Sequence, residues 1–441
     1  MPYLTDLIAP GMGPANYMTG TSADMEWFRR EPKKEKKRVH VMALGDVGST
    51  LLLGLKLLGG DCIHTIGIFD VRKEFEARFE FEMNQVTHPG AYGGLPPVEI
   101  VPEEQLFACD VFVFCASRGV PPVSETKMDV RMAQYEANAG LVELYAKKAV
   151  AAGFCGLFAV VSDPVDPLCF AAEAAGLNPA RIKGYGLGVM NARAAYYAKK
   201  DARFASFLTE GAAFGPHGSD LVIANSLTHY DDTLSRELTD LTVRANVAMR
   251  EMGFKPYLAP ALSSGALSIL ATLRGEWHYS SQKFGRIFLG AKNRVTEAGI
   301  EVENPLLPQE LYERIEKAYD GLCLLAEKAE KKKTSDEKAK DKGAQLILWA
   351  TRGYRYGFFE NSGAKPAEEG EVGQTVMLDN GTWHTLTLTS EEMAKKNAEY
   401  YKYLGDTTGN GDALVAQVGT AYNYINQNYS DKVNPYLITG Q

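Results

Sequence analysis

The sequence predicts an α/β protein: a doubly wound parallel sheet, then an α+β domain, then a small C-terminal extension. Three observations predict it. Short, nearly continuous apolar runs recur at 39–44, 65–69, 111–115 and 156–161, as expected of parallel strands covered on both faces. Helical patterns alternate with these runs in the first half of the chain, whereas the second half mixes longer helical patterns with strands. A turn containing two glycines, Ala43-Leu44-Gly45-Asp46-Val47-Gly48, joins the first strand to the first helix.

Residues 1–37 carry Pro10-Gly11 and Gly13-Pro14 but little periodicity, so they form an arm or irregular cap, of the kind that often wraps a neighbouring subunit. Residues 38–165 hold the strand–helix alternation. It runs from Val39 to Leu44, through the glycine turn and a helix from Ser49 to Leu58, to a strand Thr65 to Phe69 ending at Asp70. A strand Val111 to Cys115, a helix from about Asp129 to Ala152 and a strand Gly156 to Val161 continue it. Residues 166–330 give helical patterns at Cys169–Gly176, Met190–Lys200, Tyr230–Met252 and Ala261–Leu273, and strands at Gly285–Leu289 and Gly299–Glu303. The charged, low-complexity run at 331–343 reads as a linker. Residues 344–441 form an appended module, in which Thr375–Leu378 and Trp383–Leu388 flank Asn380-Gly381 as a hairpin, and Thr389-Ser390-Glu391-Glu392 caps a helix to about Leu404.

At 441 residues, 45% hydrophobic and 10% aromatic, the chain holds enough apolar material for cores in two or three domains. A net charge of −8 argues against a nucleic-acid partner, because phosphate binding needs clustered Lys and Arg. The basic run Lys33 to Arg38 reads as a solvated lead-in to the first strand. No apolar stretch approaches the roughly 18 residues that span a bilayer, and no secretory pattern opens the sequence, so a cytoplasmic protein without a membrane partner is expected. Cys62, Cys109, Cys115, Cys155, Cys169 and Cys323 show neither a CxxC nor ligand spacing, and read as reduced core residues with no metal site.

A glycine turn between strand and helix lets the backbone approach a pyrophosphate, whose charge then sits at the helix N-terminus. Gly45 and Gly48 fill two of the three glycine positions of the dinucleotide-binding fingerprint, with Ala43 at the first. Asp70 follows Gly48 by 22 residues, at the end of the next strand, where a carboxylate accepts hydrogen bonds from an adenosine ribose and repels a 2′-phosphate. Gly45, Asp46, Val47, Gly48 and Asp70 are therefore the candidate cofactor-binding residues of a Rossmann-type domain, and NAD is expected over NADP. Asp46 brings a carboxylate beside the pyrophosphate, so its side chain has to point away.

Asp163-Pro164-Val165-Asp166, Gly184-Tyr185-Gly186, Asn191-Ala192-Arg193 and Gly215-Pro216-His217-Gly218 follow in that order. With them, roughly residues 38–325 resemble the lactate/malate dehydrogenase family, and Gly275-Glu276 through Phe288-Leu289-Gly290 and Asn304-Pro305 look like that family's final strands. The resemblance implies an NAD-dependent oxidoreductase that transfers hydride between a nicotinamide and a small 2-hydroxy/2-oxo carboxylic acid. It also implies a homo-oligomer, a dimer or tetramer. In such enzymes a His carries the hydroxyl proton, an Arg grips the substrate carboxylate, a second Arg on a mobile loop polarises the carbonyl, and an Asp orients the His.

The proton carrier maps onto His217, whose imidazole titrates near neutrality, and the carboxylate grip maps onto Arg193, beside Asn191. The orienting Asp is replaced by Met190, which accepts no strong hydrogen bond. Asp163 stands where the family has a substrate-binding Asn, and it is placed either to pair with His217 or to bind a substrate amino or hydroxyl group. The loop Arg maps onto Lys127, which keeps the charge without the bidentate fork; Arg118, earlier in the same loop, is a substitute. The substrate-selecting loop position falls at Val120 or Pro121, so a second substrate carboxylate is not obviously served.

The departures leave an alternative, a catalytically inactive homologue with a structural or ligand-sensing role. The related metal-dependent glycosidases need a Cys and a His on a metal, and no such pair is in place. Asp406-Thr407-Thr408-Gly409-Asn410-Gly411-Asp412 resembles a calcium loop, but Gln417 stands where Glu is needed, so it reads as an Asn-Gly turn. Tyr400, Tyr401, Tyr403, Tyr422 and Tyr424 form either core or a subunit contact.

Overall fold

The computed structural model describes residues 1–29, 36–117, 130–218 and 220–327, and the strands 372–377 and 383–388. The chain divides into two compact units, Met1–Ala326 and Glu327–Gln441.

In the first unit the elements follow as β1 Tyr17–Thr19, α1 Glu26–Arg29, β2 Lys37–Met42, α2 Asp46–Leu58, β3 Ile63–Phe69, α3 Lys73–Asn84, β4 Val98–Ile100 and β5 Val111–Phe114. Next come α4 Val130–Ala151, β6 Leu157–Val160, α5 Val165–Ala174, β7 Ile182–Gly184, α6 Leu187–Lys200, α7 Phe207–Glu210, β8 Ala212–Phe214 and β9 Val222–Ala224. The series closes with α8 Asp232–Glu251, a π-helical stretch Pro260–Leu267, α9 Ser268–Arg274, β10 His278–Phe284, β11 Ile287–Thr296, β12 Gly299–Val302 and a helix over 309–327.

A ten-stranded sheet runs β1-β12-β11-β10-β7-β6-β5-β2-β3-β4. Strands β7, β6, β5, β2, β3 and β4 are parallel; β10, β11, β12 and β1 are antiparallel. The alternation of side chains explains the continuous apolar runs. Val111 and Val113 join the core under α2 and α9, whereas Phe112 and Phe114 join the core under α4 and α5, so β5 is buried on both faces. A separate two-stranded sheet, β8 with β9, packs with Leu4 and the helix over 309–327.

The N-terminal segment packs on its own chain, with a short strand that the sequence did not announce: Tyr17–Thr19 pairs with Val302–Ile300 and Asn304 Nδ2 donates to the carbonyls of Gly13 and Ala15 at 2.9 Å. Three sequence expectations are corrected. Helix α2 starts at Asp46, three residues earlier than expected, because the turn itself supplies its first N–H groups. Gly285 is not in a strand but at the tip of the β10–β11 hairpin, with φ +60, and its apolar neighbours belong to β11. The helical pattern of 261–273 begins as a π-helix and becomes α-helical only at Ser268.

A polar network sits inside the sheet around β7. Lys183 is completely buried and its Nζ donates to Asn293 Oδ1. Asn293 Nδ2 donates to the carbonyls of Ser280 at 3.0 Å and Ala291 at 2.9 Å. His278 Nε2 lies 3.0 Å from the hydroxyls of both Thr272 and Ser280, and Thr272 lies 2.8 Å from the Tyr185 hydroxyl. Burial pushes the Lys183 amine down to about 7 and, with the Lys183 charge, the His278 imidazole down to about 3.

In the second unit, β13 Val372–Met377 and β14 Trp383–Leu388 pair antiparallel, with Met377 opposite Trp383; Asn380-Gly381 lies outside the described residues. The capping box at 389–392, the run at 331–343, the 406–412 segment and the tail tyrosines lie outside the described residues.

Candidate active site

Strand β2 delivers the glycine turn to the N-terminus of α2. Gly48 packs so tightly on the turn that a Cβ would fall 1.9 Å from the Ala43 carbonyl oxygen, whereas a Cβ on Gly45 would meet nothing within 4 Å. Gly45 therefore opens onto vacant space at the helix N-terminus, where no side chain caps the first N–H groups of α2. That combination suits a pyrophosphate. Ala43 takes the left-handed conformation, φ +73, that the fingerprint glycine adopts without strain. Val47 is half-buried against the core under α2.

Asp46 does direct its carboxylate elsewhere: Oδ2 lies 3.0 Å from Lys255 Nζ. Asp70 is tied to the turn. Its Oδ2 accepts the Leu44 N–H at 2.7 Å, and its Oδ1 accepts the Arg72 N–H at 3.0 Å and Nε at 3.2 Å, with the side chain only 4% exposed. Burial raises the Asp70 pKa, but the hydrogen bonds from Arg72 and Leu44 outweigh it and hold the carboxyl below its usual range.

The second half of the site assembles at the ends of β6, β7 and β8. After β6, Ser162 Oγ donates to the Ala116 carbonyl at 2.7 Å and Asn138 Nδ2 donates to the Asp163 carbonyl at 2.7 Å, fixing the segment that carries Asp163. The Asp163–Pro164 peptide is cis. After β7, Ser264 in the π-helical stretch accepts the Val189 N–H at 2.8 Å and donates to the Gly186 carbonyl at 2.7 Å. After β8, Gly215 at φ +84 hydrogen-bonds to Gly290 and turns the chain so that His217 faces Gly186.

His217 Nε2 lies 2.6 Å from Asp163 Oδ1. The imidazole is 15% exposed and the carboxylate 59% exposed, so the acid is the outward member of the pair. The other ring nitrogen, Nδ1, lies against Gly186, where a Cβ would come within 2.5 Å of it. Met190 is buried in the cluster with Leu187, Phe204, Phe207 and Leu238. Two turns into α6, half-buried Arg193 lies 3.6 Å through its NH1 nitrogen from Met190 Sδ, and its other terminal nitrogen donates to Asn246 Oδ1. Burial lowers the Arg193 pKa, while Tyr197 and Asp163 act against that shift, which places Asp163 within electrostatic reach of the guanidinium.

The π-helical stretch bridges the two halves. Its Gly265 packs on Leu51 and its Ala266 on Gly54 of α2, while its Ser264 holds Gly186 beside His217. The structure thus brings His217, Asp163 and Arg193 together, with Asn191 half-buried on the same helix as Arg193, and gathers Gly45, Asp46, Val47, Gly48 and Asp70 at the β2–α2–β3 turn. Lys127 and Arg118, with Val120 and Pro121, lie outside the described residues. Ser264, Asn246 and Lys255 were not anticipated; each reaches the site from a distant helix or loop and has no local motif. Among the described residues no cluster of His, Cys, Asp or Glu is arranged to hold a metal, and no helix is long and apolar enough to cross a membrane.

No family model matches the chain. It is 28% identical to the L-lactate dehydrogenase of Treponema denticola over 197 residues, 44% of this chain and 59% of that enzyme. It is 23% identical to the L-lactate dehydrogenase of Streptococcus uberis over 298 residues, 65% of this chain and 83% of that enzyme. These matches support membership of the chain in the lactate/malate dehydrogenase family, at modest identity. Its match spans just under three-fifths of the length of the Treponema enzyme. The lactate/malate dehydrogenase fold is shared as well: the malate dehydrogenase of Picrophilus torridus superposes with a TM-score of 0.55 at 17% identity, covering 68% of this chain and 100% of that one.

Proposed function

We propose that the protein is an NAD-dependent oxidoreductase that moves hydride between the nicotinamide and C2 of a small 2-hydroxy/2-oxo-type carboxylic acid. The observation that carries this is the His217–Asp163 pair at 2.6 Å, within reach of Arg193 and joined by the π-helical stretch to a turn suited to a pyrophosphate. When bound, the nicotinamide accepts or supplies the hydride. Gly45 and the first N–H groups of α2 hold the pyrophosphate, and Asp70 anchors the turn at the adenosine end. Arg193 takes the substrate carboxylate in two hydrogen bonds, after exchanging its contact with Asn246. The His217–Asp163 pair holds the proton that leaves or returns as C2 changes oxidation state. The role of the family's carbonyl-polarising charge is carried over to Lys127, with Arg118 as its alternative. A cytoplasmic homo-oligomer completes the reading carried over from the family.

Titration of the purified protein with NADH, followed by fluorescence, and then a panel of 2-oxo acids in the same cuvette tests it. Saturable binding and NADH oxidation by one acid, abolished in His217→Ala, is the expected result. Absence of binding at high micromolar NADH would refute it. The buried Met190, which stands where the family carries the orienting Asp, favours the second reading, an inactive homologue that keeps the fold for ligand sensing.

A further inference from the structure

We infer that the C2 substituent of the substrate is nitrogen, so that the reduced substrate is a small 2-amino acid and the oxidised product a 2-oxo acid. The inference rests on the reading above and changes only the group at C2. It follows from which hydrogen-bonding groups the pair presents. Asp163 is 59% exposed and His217 15%, so what faces outward is mainly a carboxylate, which accepts hydrogen bonds and donates none while ionised. The Nε2 proton of His217 is directed to Asp163 Oδ1 at 2.6 Å, and Nδ1 lies against Gly186.

A ketone oxygen placed beside Asp163 would set acceptor against acceptor, with partial negative charge against full negative charge. An amine or iminium nitrogen in the same place offers N–H donors and a positive charge, the complement of the carboxylate. The neighbouring charge agrees. Arg193 lies within electrostatic reach of Asp163, so the site offers both a cation and an anion, and a zwitterionic 2-amino acid matches it with its carboxylate on Arg193 and its ammonium on Asp163. The Asn that the family places at position 163 would donate to a ketone; Asp163 reverses that preference.

The chemistry balances with water and ammonium as co-reactants. One ammonium proton passes to the Asp163–His217 pair, hydride leaves C2 with its electron pair for the oxidised nicotinamide, and the nitrogen lone pair closes the C2=N bond. Water then adds to the iminium, and the C–N bond breaks to leave a 2-oxo acid and ammonium.

The test uses the full chain with NADH and a panel of 2-oxo acids, in ammonium chloride and in potassium chloride at equal ionic strength. NADH oxidation that needs ammonium, together with NAD reduction by a 2-amino acid and not by the matching 2-hydroxy acid, is expected. In Asp163→Asn, which restores an amide donor, preference moves toward the 2-hydroxy acid by on the order of 100-fold. Ammonium-independent reduction of a 2-oxo acid would overturn the inference and leave the oxidoreductase reading standing. Failure of NADH to bind, or of any acid to turn over with or without ammonium, would remove both. The ammonium comparison on the unmodified protein stands even if the variant does not fold.

Discussion

The buried amine of Lys183 makes stability depend on pH in a direction fixed by the structure. Lys183 is completely buried, hydrogen-bonded to Asn293, and burial lowers its pKa from 10.5 to about 7. Between pH 7 and 10 the folded protein holds this amine largely neutral while the unfolded chain keeps it protonated. The unfolded state therefore binds more protons, and stability rises with pH through that window; below pH 7 both states are protonated and the contribution is flat. At 1.36 kcal/mol per pH unit, three units give at most about 4 kcal/mol. Tyr185 and Cys169 act oppositely at the alkaline end, because burial pushes their pKa values up and only the unfolded chain ionises.

Comparison with Lys183→Met isolates the amine. The substitution keeps the apolar stem and removes one of the two donors to Asn293 Oδ1, leaving the Ser280 hydroxyl at 3.3 Å, a cost of about 1 kcal/mol that does not vary with pH. Urea unfolding of both proteins at pH 7, 8, 9 and 10, followed by far-ultraviolet circular dichroism, should show the wild type gaining stability over the variant by a few kcal/mol as pH rises. Parallel curves for the two proteins would refute the assignment of a depressed pKa to Lys183.

The two glycines of the nucleotide turn should separate binding from folding. Gly45→Ala adds a methyl into open space, so its unfolding midpoint should stay near wild type while NADH affinity falls in the fluorescence titration. Gly48→Ala drives a Cβ against the Ala43 carbonyl, a backbone atom that cannot step aside, and should cost on the order of 2–4 kcal/mol as well as NADH binding. Ala43→Gly relieves a left-handed alanine and should raise stability by about 0.5–1 kcal/mol in a denaturant titration. Gly186→Ala places a Cβ 2.5 Å from His217 Nδ1 and should displace the ring from Asp163, reducing turnover by roughly 10²–10⁴ while NADH binding is retained.

Local patterns made much of the fold legible in the sequence. The strands at β2, β3, β5 and β6 announce themselves because both faces are buried, and the glycine turn because Gly48 has no room for a side chain. Strands as short as β1, β7, β8 and β9 carry too few residues to show a period, and the arm's pairing with β12 joins segments nearly 300 residues apart. The hairpin tip at Gly285 was read as strand because β11's apolar residues begin two positions later and mask the turn.

The site divides along the same line. His217 and Arg193 sit in short motifs and could be named from the chain, whereas Ser264 and Asn246 act only through contacts with Gly186 and Arg193 that no local spacing encodes. Two departures from the family concern the partners of the same histidine. Met190 stands where the family carries the Asp that orients the histidine and is buried among apolar side chains, while Asp163 places a carboxylate on Nε2 of His217. The imidazole has a carboxylate partner, and that partner is the more exposed member of the pair. On the inference drawn above, a substrate meets this acceptor at the exposed side of the pair, so the residue type at position 163 is the first place to test which C2 substituent is favoured.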